Sequence, residues 1–178
     1  ITGPSGSGKS TLMHLVGCLD LPTRGKVLLD GKDISNLSES TLSNMRGRKI
    51  GFVFQKFNLI NSLTAFENVE LPLIFQGVVF EERQVMAKNL LERVGLNQRM
   101  QHRPMQLSGG EQQRVAICRA LVGNPDVILA DEPTGNLDSK RGEEVMSFFH
   151  SLHDEGKTIV VVTHDPIVAR HANRVIKI

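Results

Sequence analysis

Short apolar, β-branched runs alternate along this chain with stretches whose apolar positions recur every three to four residues. Such alternation predicts a mostly parallel sheet covered by helices, an α/β arrangement. Ile50–Phe54 (IGFVF), Val127–Ala130 (VILA), Thr158–Thr163 (TIVVVT) and Arg174–Ile178 (RVIKI) are the expected strands. Three of them are nearly all apolar, as strands buried on both faces are. Lys26–Asp30 and Lys32–Ile34 predict a hairpin, because Asp30-Gly31 accepts the positive φ angles of a tight turn.

Between Gln55 and Leu107 the pattern turns helical. Thr64 with Glu67 three residues on forms a capping box, and Pro72 is expected to stop that short helix. A helix over Glu81–Val94 follows, with Met86, Leu90 and Val94 on one face and Gly95 placed to end it. A last helix, Ser139–Asp154, puts Val145, Phe149 and Leu152 inward before Gly156. The expected organisation is a core of residues 1–55 and 106–178, interrupted by a helical subdomain over 56–105.

Composition changes this picture little. The 178 residues are one domain's worth, 40% hydrophobic and 22% charged, and a net charge of +2 gives no argument for nucleic acid. Cys18 and Cys118 lie one hundred residues apart with no metal-ligand spacing beside either, which reads as two reduced core thiols. The longest apolar runs are about four residues, far below the ~20 that span a bilayer. Any membrane role must therefore come through a partner.

The chemistry lies in four stretches. Gly3-Pro4-Ser5-Gly6-Ser7-Gly8-Lys9-Ser10, followed by Thr11, fits the pattern in which glycines let backbone N–H groups close around phosphates at a helix N-terminus. Lys9 would reach the β- and γ-phosphates, and the Ser10 hydroxyl would bind Mg²⁺. In VILADE, an apolar strand runs into Asp131, a second metal ligand, and Glu132, a general base or water-orienting group. In LSGGEQQR, Ser108-Gly109-Gly110 opens a helix whose first turn is a second anion cradle. His164 ends the TIVVVT strand in Thr163-His164-Asp165; His14, His102, His150, His153 and His171 lack such a setting and read as structural or solvated.

With the Gly3–Ser10 loop, Gln55, LSGGEQ, VILADE and His164 in this order, the chain closely resembles the nucleotide-binding domain of ATP-binding-cassette proteins over essentially its whole length. GCLDLPTRG, FVFQKFNLINSLTAFENVELPL and LADEPTGNLDS look most like the branch holding the lipoprotein-releasing and macrolide-exporter ATPases. The resemblance implies a P-loop NTPase, RecA-like sheet core with an inserted helical subdomain, ATP and Mg²⁺ as ligands, and ATP hydrolysis coupled to transport. It implies a homodimer packed head to tail, in which Lys9 of one copy and Ser108–Gly110 of the other clamp one ATP. Gln55 would then contact Mg²⁺ and the attacking water, His164 the γ-phosphate, and Asp138 would lie in a loop at the dimer interface while also capping a helix. Integral membrane permease subunits would contact the helical subdomain from the cytoplasmic side, with no nucleic acid expected.

Two other classes compete. A soluble cassette ATPase of DNA repair or translation is disfavoured, because chromosome and repair members carry a long coiled coil where Gln55 and Leu107 are only about fifty residues apart. A P-loop kinase would have no use for LSGGEQ. Only Ile1 and Thr2 stand where the strand before such a loop belongs, and the chain has no Tyr or Trp to stack on adenine. The expectation is a piece trimmed at both ends that folds marginally and binds nucleotide weakly by itself.

Overall fold

The computed structural model describes all 178 residues. Three strands, β3 (Ile50–Val53), β4 (Val127–Asp131) and β5 (Thr158–Val162), form a parallel sheet in the order β3-β4-β5. β1 (Leu28–Leu29) and β2 (Lys32–Asp33) make the antiparallel hairpin, with Asp30 and Gly31 both at positive φ. It is shorter than expected: Ile34 begins a 3₁₀ turn capped by the Asp33 carboxylate, which accepts from the Ser35 N–H.

Register divides the core by the two-residue period of β4. Ile128 and Ala130 face a cluster with Ile117 and Leu121 of α5 (Gly109–Leu121), Val145, Phe149 and Leu152 of α6 (Ser139–Asp154), and Val168 of α7 (Pro166–Ala169). Leu129, between them, faces Met13 of α1 (Lys9–Val16), Leu42 of α2 (Glu39–Lys49) and Val162. Helices thus cover both faces of the sheet, as the apolar strand runs require. Each such fully buried Leu or Val contributes roughly 1.5–3 kcal/mol relative to exposure. β5 is only half-buried over most of its length, so it fits the both-faces expectation less well than β4.

Arg174–Ile178 does not form a strand. Thr2 makes single parallel bridges to Thr163 on one side and Lys177 on the other, with the Ile178 N–H donating to the Thr2 carbonyl at 2.9 Å.

α3 (Ala65–Phe75) opens on the expected Thr64–Glu67 capping box but runs through Pro72. Val69 and Leu73 are wholly buried on either side of that proline, and Gly77, at φ 74°, lies just past the helix end. Packing here outweighs the lost hydrogen bond and ring clash that make proline a breaker. α4 (Phe80–Arg93) buries Ala87 and Leu91 fully, while Met86, Leu90 and Val94 flank that stripe, so the inward face is centred one position later than expected. These two helices pack on α5, whose Val115, Cys118 and Val122 face them while Ile117 and Leu121 face the sheet. The helix that begins with LSGGEQ is therefore shared by both parts of the molecule. Cys18 and Cys118 are free and buried, and burial pushes the Cys118 thiol up to about 12.

Candidate functional site

The loop before α1 owes its shape to three glycines. Gly6 and Gly8 sit at φ 79° and 94°, and a Cβ on Gly3 would lie 2.6 Å from both the Ile178 carbonyl oxygen and the Ser7 hydroxyl. Gly8 is the N-cap of α1 and supplies no side-chain cap, nor does any acidic residue sit in the first turn. The orphan N–H groups and positive dipole end of this helix are left to an external anion. Lys9 is buried, and its ammonium donates to the carbonyls of Gly3 and Pro4 at 2.9 and 2.8 Å, which curls it over the loop. The Ser7 hydroxyl is buried inside the loop without a hydrogen-bond partner.

Beside the loop, Ser10 Oγ donates to Asp131 Oδ2 at 3.4 Å, so the two oxygen donors proposed for a metal meet across more than a hundred residues of chain. No cluster of three or more His, Cys, Asp or Glu side chains is available as a protein cage. A hydroxyl plus one carboxylate, with phosphate oxygens completing the shell, is the donor set Mg²⁺ takes in phosphoryl-transfer sites. The residues fit that ion. Burial, then the negative charge of Glu132, pushes the Asp131 carboxyl above its usual range, against the Ser10 hydrogen bond and the charges of His14 and Lys9.

Glu132 leaves β4 at φ 46°, a left-handed conformation that costs a residue of this type about 1–3 kcal/mol. It is held there by its neighbours on β5 and beyond. Thr163 Oγ1 donates to one carboxylate oxygen at 3.1 Å, and the His164 backbone N–H and Nδ1 lie 3.0 and 2.5 Å from the other. His164 is itself exposed, while the Glu132 side chain is only 15% exposed. The carboxylate is thus fixed at the end of β4 beside the exposed His164, and Thr163 is a partner that the motif does not name. Its only signal in the sequence is a hydroxyl closing the apolar run TIVVVT, and the structure buries it to 2% exposed.

Gln55 follows β3 and is exposed; its backbone carbonyl accepts from Asn136 Nδ2 at 2.7 Å, and its amide lies against Gly135. The loop after Glu132 is thereby tied to the loop after β3. Buried Gln113, on α5, donates to the Pro133 carbonyl at 2.7 Å and fixes the same loop from below. Asp138 caps α6, accepting from the Arg141 N–H at 3.0 Å.

Ser108, Gly109 and Gly110 stand apart from the Lys9 loop. The nearest neighbours of Gly109 are Asn136, Leu137 and Phe57, and that of Gly110 is the Arg141 side chain. Ser108 caps α5 in a reciprocal box: its N–H donates to Glu111 Oε2 at 2.7 Å and its Oγ accepts from the Glu111 N–H at 3.4 Å. What remains for an anion is the Ser108 hydroxyl proton and the N–H groups of Gly109 and Gly110. One chain therefore assembles a phosphate loop, a metal pair and a carboxylate–histidine pair in one place, and a weaker second cradle elsewhere.

The model of the ABC transporter family matches residues 1–135. An ABC transporter ATP-binding protein of Thermotoga maritima is 62% identical over 93% of this chain and 70% of its own length, and the YknY protein of Bacillus subtilis, described likewise, is 55% identical over 100% and 77%. The macrolide export ATP-binding/permease protein MacB of Aggregatibacter actinomycetemcomitans is 54% identical over the whole chain, which spans only 28% of MacB. Among solved structures, a dimeric ATP-binding cassette in a post-hydrolysis state bound to ADP and Pi superposes with a TM-score of 0.90 at 53% identity, covering 99% of this chain and 78% of that one. These relatives are named for ABC transport and macrolide export, not for DNA repair or translation. No helix here is long and apolar enough to cross a membrane.

Proposed function

The chain belongs to the ABC transporter family as one of its ATP-hydrolysing cassettes, and from that premise we propose that it powers export, or release of a lipoprotein, macrolide or peptide, through a membrane permease. Two copies act head to tail. The Gly3–Thr11 loop and Lys9 of one copy hold the β- and γ-phosphates of ATP, and Ser108, Gly109 and Gly110 of the other close on the γ-phosphate, with Asp138 in the loop between the copies. That arrangement explains why one chain carries two separate anion cradles. Ser10 and Asp131, with Gln55, would hold Mg²⁺, which when bound neutralises phosphate charge.

Glu132 aligns a water and accepts its proton as the water attacks in line, Gln55 orients that water, and His164 offsets charge developing on the γ-phosphate. The observation that carries this reading is the Glu132 carboxylate, held by Thr163 and His164 at the strand end next to the Ser10–Asp131 pair. In the full-length protein, Glu132→Gln should lower kcat by about 10²–10⁴-fold, the usual worth of a positioned general base, with ATP still bound. Turnover at the wild-type rate would discard the role.

Residues 1–55 and 106–178 serve as the ATPase core and 56–105 as the helical subdomain that meets the permease, on the cytoplasmic side of the membrane. A groove of about 850 Å³ between α2 and α3 supports that contact: Leu71 and Phe75 line it beside Arg48, and beside Arg46 and Arg119, whose charges are met by Glu39 and by backbone carbonyls. Phe75 is 83% exposed.

A further inference from the structure

We infer that Arg119 is a positioning residue for Gln55: its guanidinium clasps the backbone just past Gln55 and ties that loop to the helix that begins at Ser108. This rests on the role proposed above for Gln55. Arg119 Nη1 donates to the Asn58 carbonyl at 2.6 Å and Nη2 to the Phe57 carbonyl at 2.8 Å. Both acceptors are left-handed non-glycine residues, Phe57 at φ 59° and Asn58 at φ 51°. Two such residues in succession are a conformation that a chain holds only when its surroundings impose it.

The clasp is built for that task. Arg119 forms no ion pair, so its charge is met by carbonyl oxygens, and burial draws its pKa below the usual arginine value. Hydrogen bonds from a charged donor are the strong ones, and a planar fork reaches two adjacent carbonyls where a lysine point charge does not. Upstream, the Gln55 carbonyl is pinned by Asn136. Gln55 thus hangs between two fixed points, one on the loop after Glu132 and one on α5. Arg119 lies eleven residues beyond Ser108 on the same helix, about 16 Å along a rigid rod. The Phe57 ring also comes within 4.0 Å of the position a Cβ would take on Gly109. Any movement of the Ser108 end when a second copy engages it is therefore passed to the residue that orients the attacking water.

The test is steady-state ATPase kinetics of the full-length protein, with amide hydrogen exchange over residues 55–60 and a melting temperature for each variant. Arg119→Lys should lower kcat about tenfold, the equivalent of one charge-assisted hydrogen bond, leave the ATP KM within about twofold, and raise exchange over 55–60. Asn58→Gly in the Arg119→Lys background should recover about threefold in kcat, because glycine holds the left-handed conformation without the clasp. A simple packing role for Arg119 would show no such recovery. The inference is overturned if Arg119→Lys keeps wild-type kcat while Gln55→Ala loses it, which leaves the Gln55 role standing, or if Asn58→Gly recovers nothing and the kcat loss follows melting temperature. Gln55→Ala at the wild-type rate would instead remove the Gln55 role itself, and this inference with it.

Discussion

Two helices of this molecule begin with glycine and serine, and they treat their own N-termini in opposite ways. α1 starts from a left-handed glycine with no side-chain cap and no acid in its first turn, and the Lys9 ammonium lies over the loop. α5 starts from Ser108 in a complete capping box, with the Glu111 carboxylate in its first turn. A helix end that keeps its donors free is pre-organised for an external anion, whereas one that satisfies them internally is stable by itself and repels anions a little. α1 is thus suited to hold phosphate alone. α5 is suited to add to a phosphate that is already held.

The largest break in this comparison is expected at Lys9. Lys9→Ala removes the charge from the uncapped end and should weaken ATP binding by about thirtyfold or more, the worth of a charge-assisted hydrogen bond, as read by nucleotide titration of the full-length protein. Normal affinity would end the assignment of this loop to phosphate. Next comes Ser108→Asp. Aspartate caps a helix about as well as serine, so the melting temperature should stay within a few degrees, while a carboxylate facing the γ-phosphate from the second copy should lower kcat by about tenfold or more. Equilibrium ATP binding by the dilute protein should not change. If affinity fell instead and kcat held, the second cradle would serve the same chain's nucleotide.

The contrast was half legible in the sequence. The glycine spacing of Gly3–Ser10 and the apolar run into Asp131-Glu132 announce a phosphate loop and a metal carboxylate, because both depend on residues adjacent in the chain. The capping box at Ser108 follows the same local rule, with Glu111 three residues on, and the anion cradle expected there overlooks that Glu111 takes the Ser108 N–H. Contacts over long separations left no local pattern: Thr163 on Glu132, Gln113 on Pro133 and Arg119 on Phe57 and Asn58. Pro72 and Arg174–Ile178 depart from the local pattern for a related reason. A helix continues through proline, and an apolar segment fails to become a strand, according to what lies beside it in space.

The smallest effects test the two ends through stability, in protein freed of nucleotide and metal by chelation. Asp131 has a raised pKa, so its ionised form is disfavoured by folding; stability from this group is gained as pH falls through its folded pKa, and Asp131→Asn should raise the melting temperature at pH 7. Glu111 is the reverse. The Ser108 backbone N–H, then the Ser108 hydroxyl and Arg99, hold its carboxyl below its usual 4.5. Its contribution is present above 4.5 and is lost as pH falls through the lower folded value. Glu111→Gln keeps the acceptor that closes the capping box and removes only the charge, so it should lower stability at pH 7 by about 0.3–1 kcal/mol, the worth of an acid in a helix's first turn, and flatten the acid limb of the melting profile. Removing a charge stabilises the metal-binding end and destabilises the self-capped one if the comparison holds. Should both substitutions shift the melting temperature in the same direction, folding would not disfavour the Asp131 charge while favouring that of Glu111.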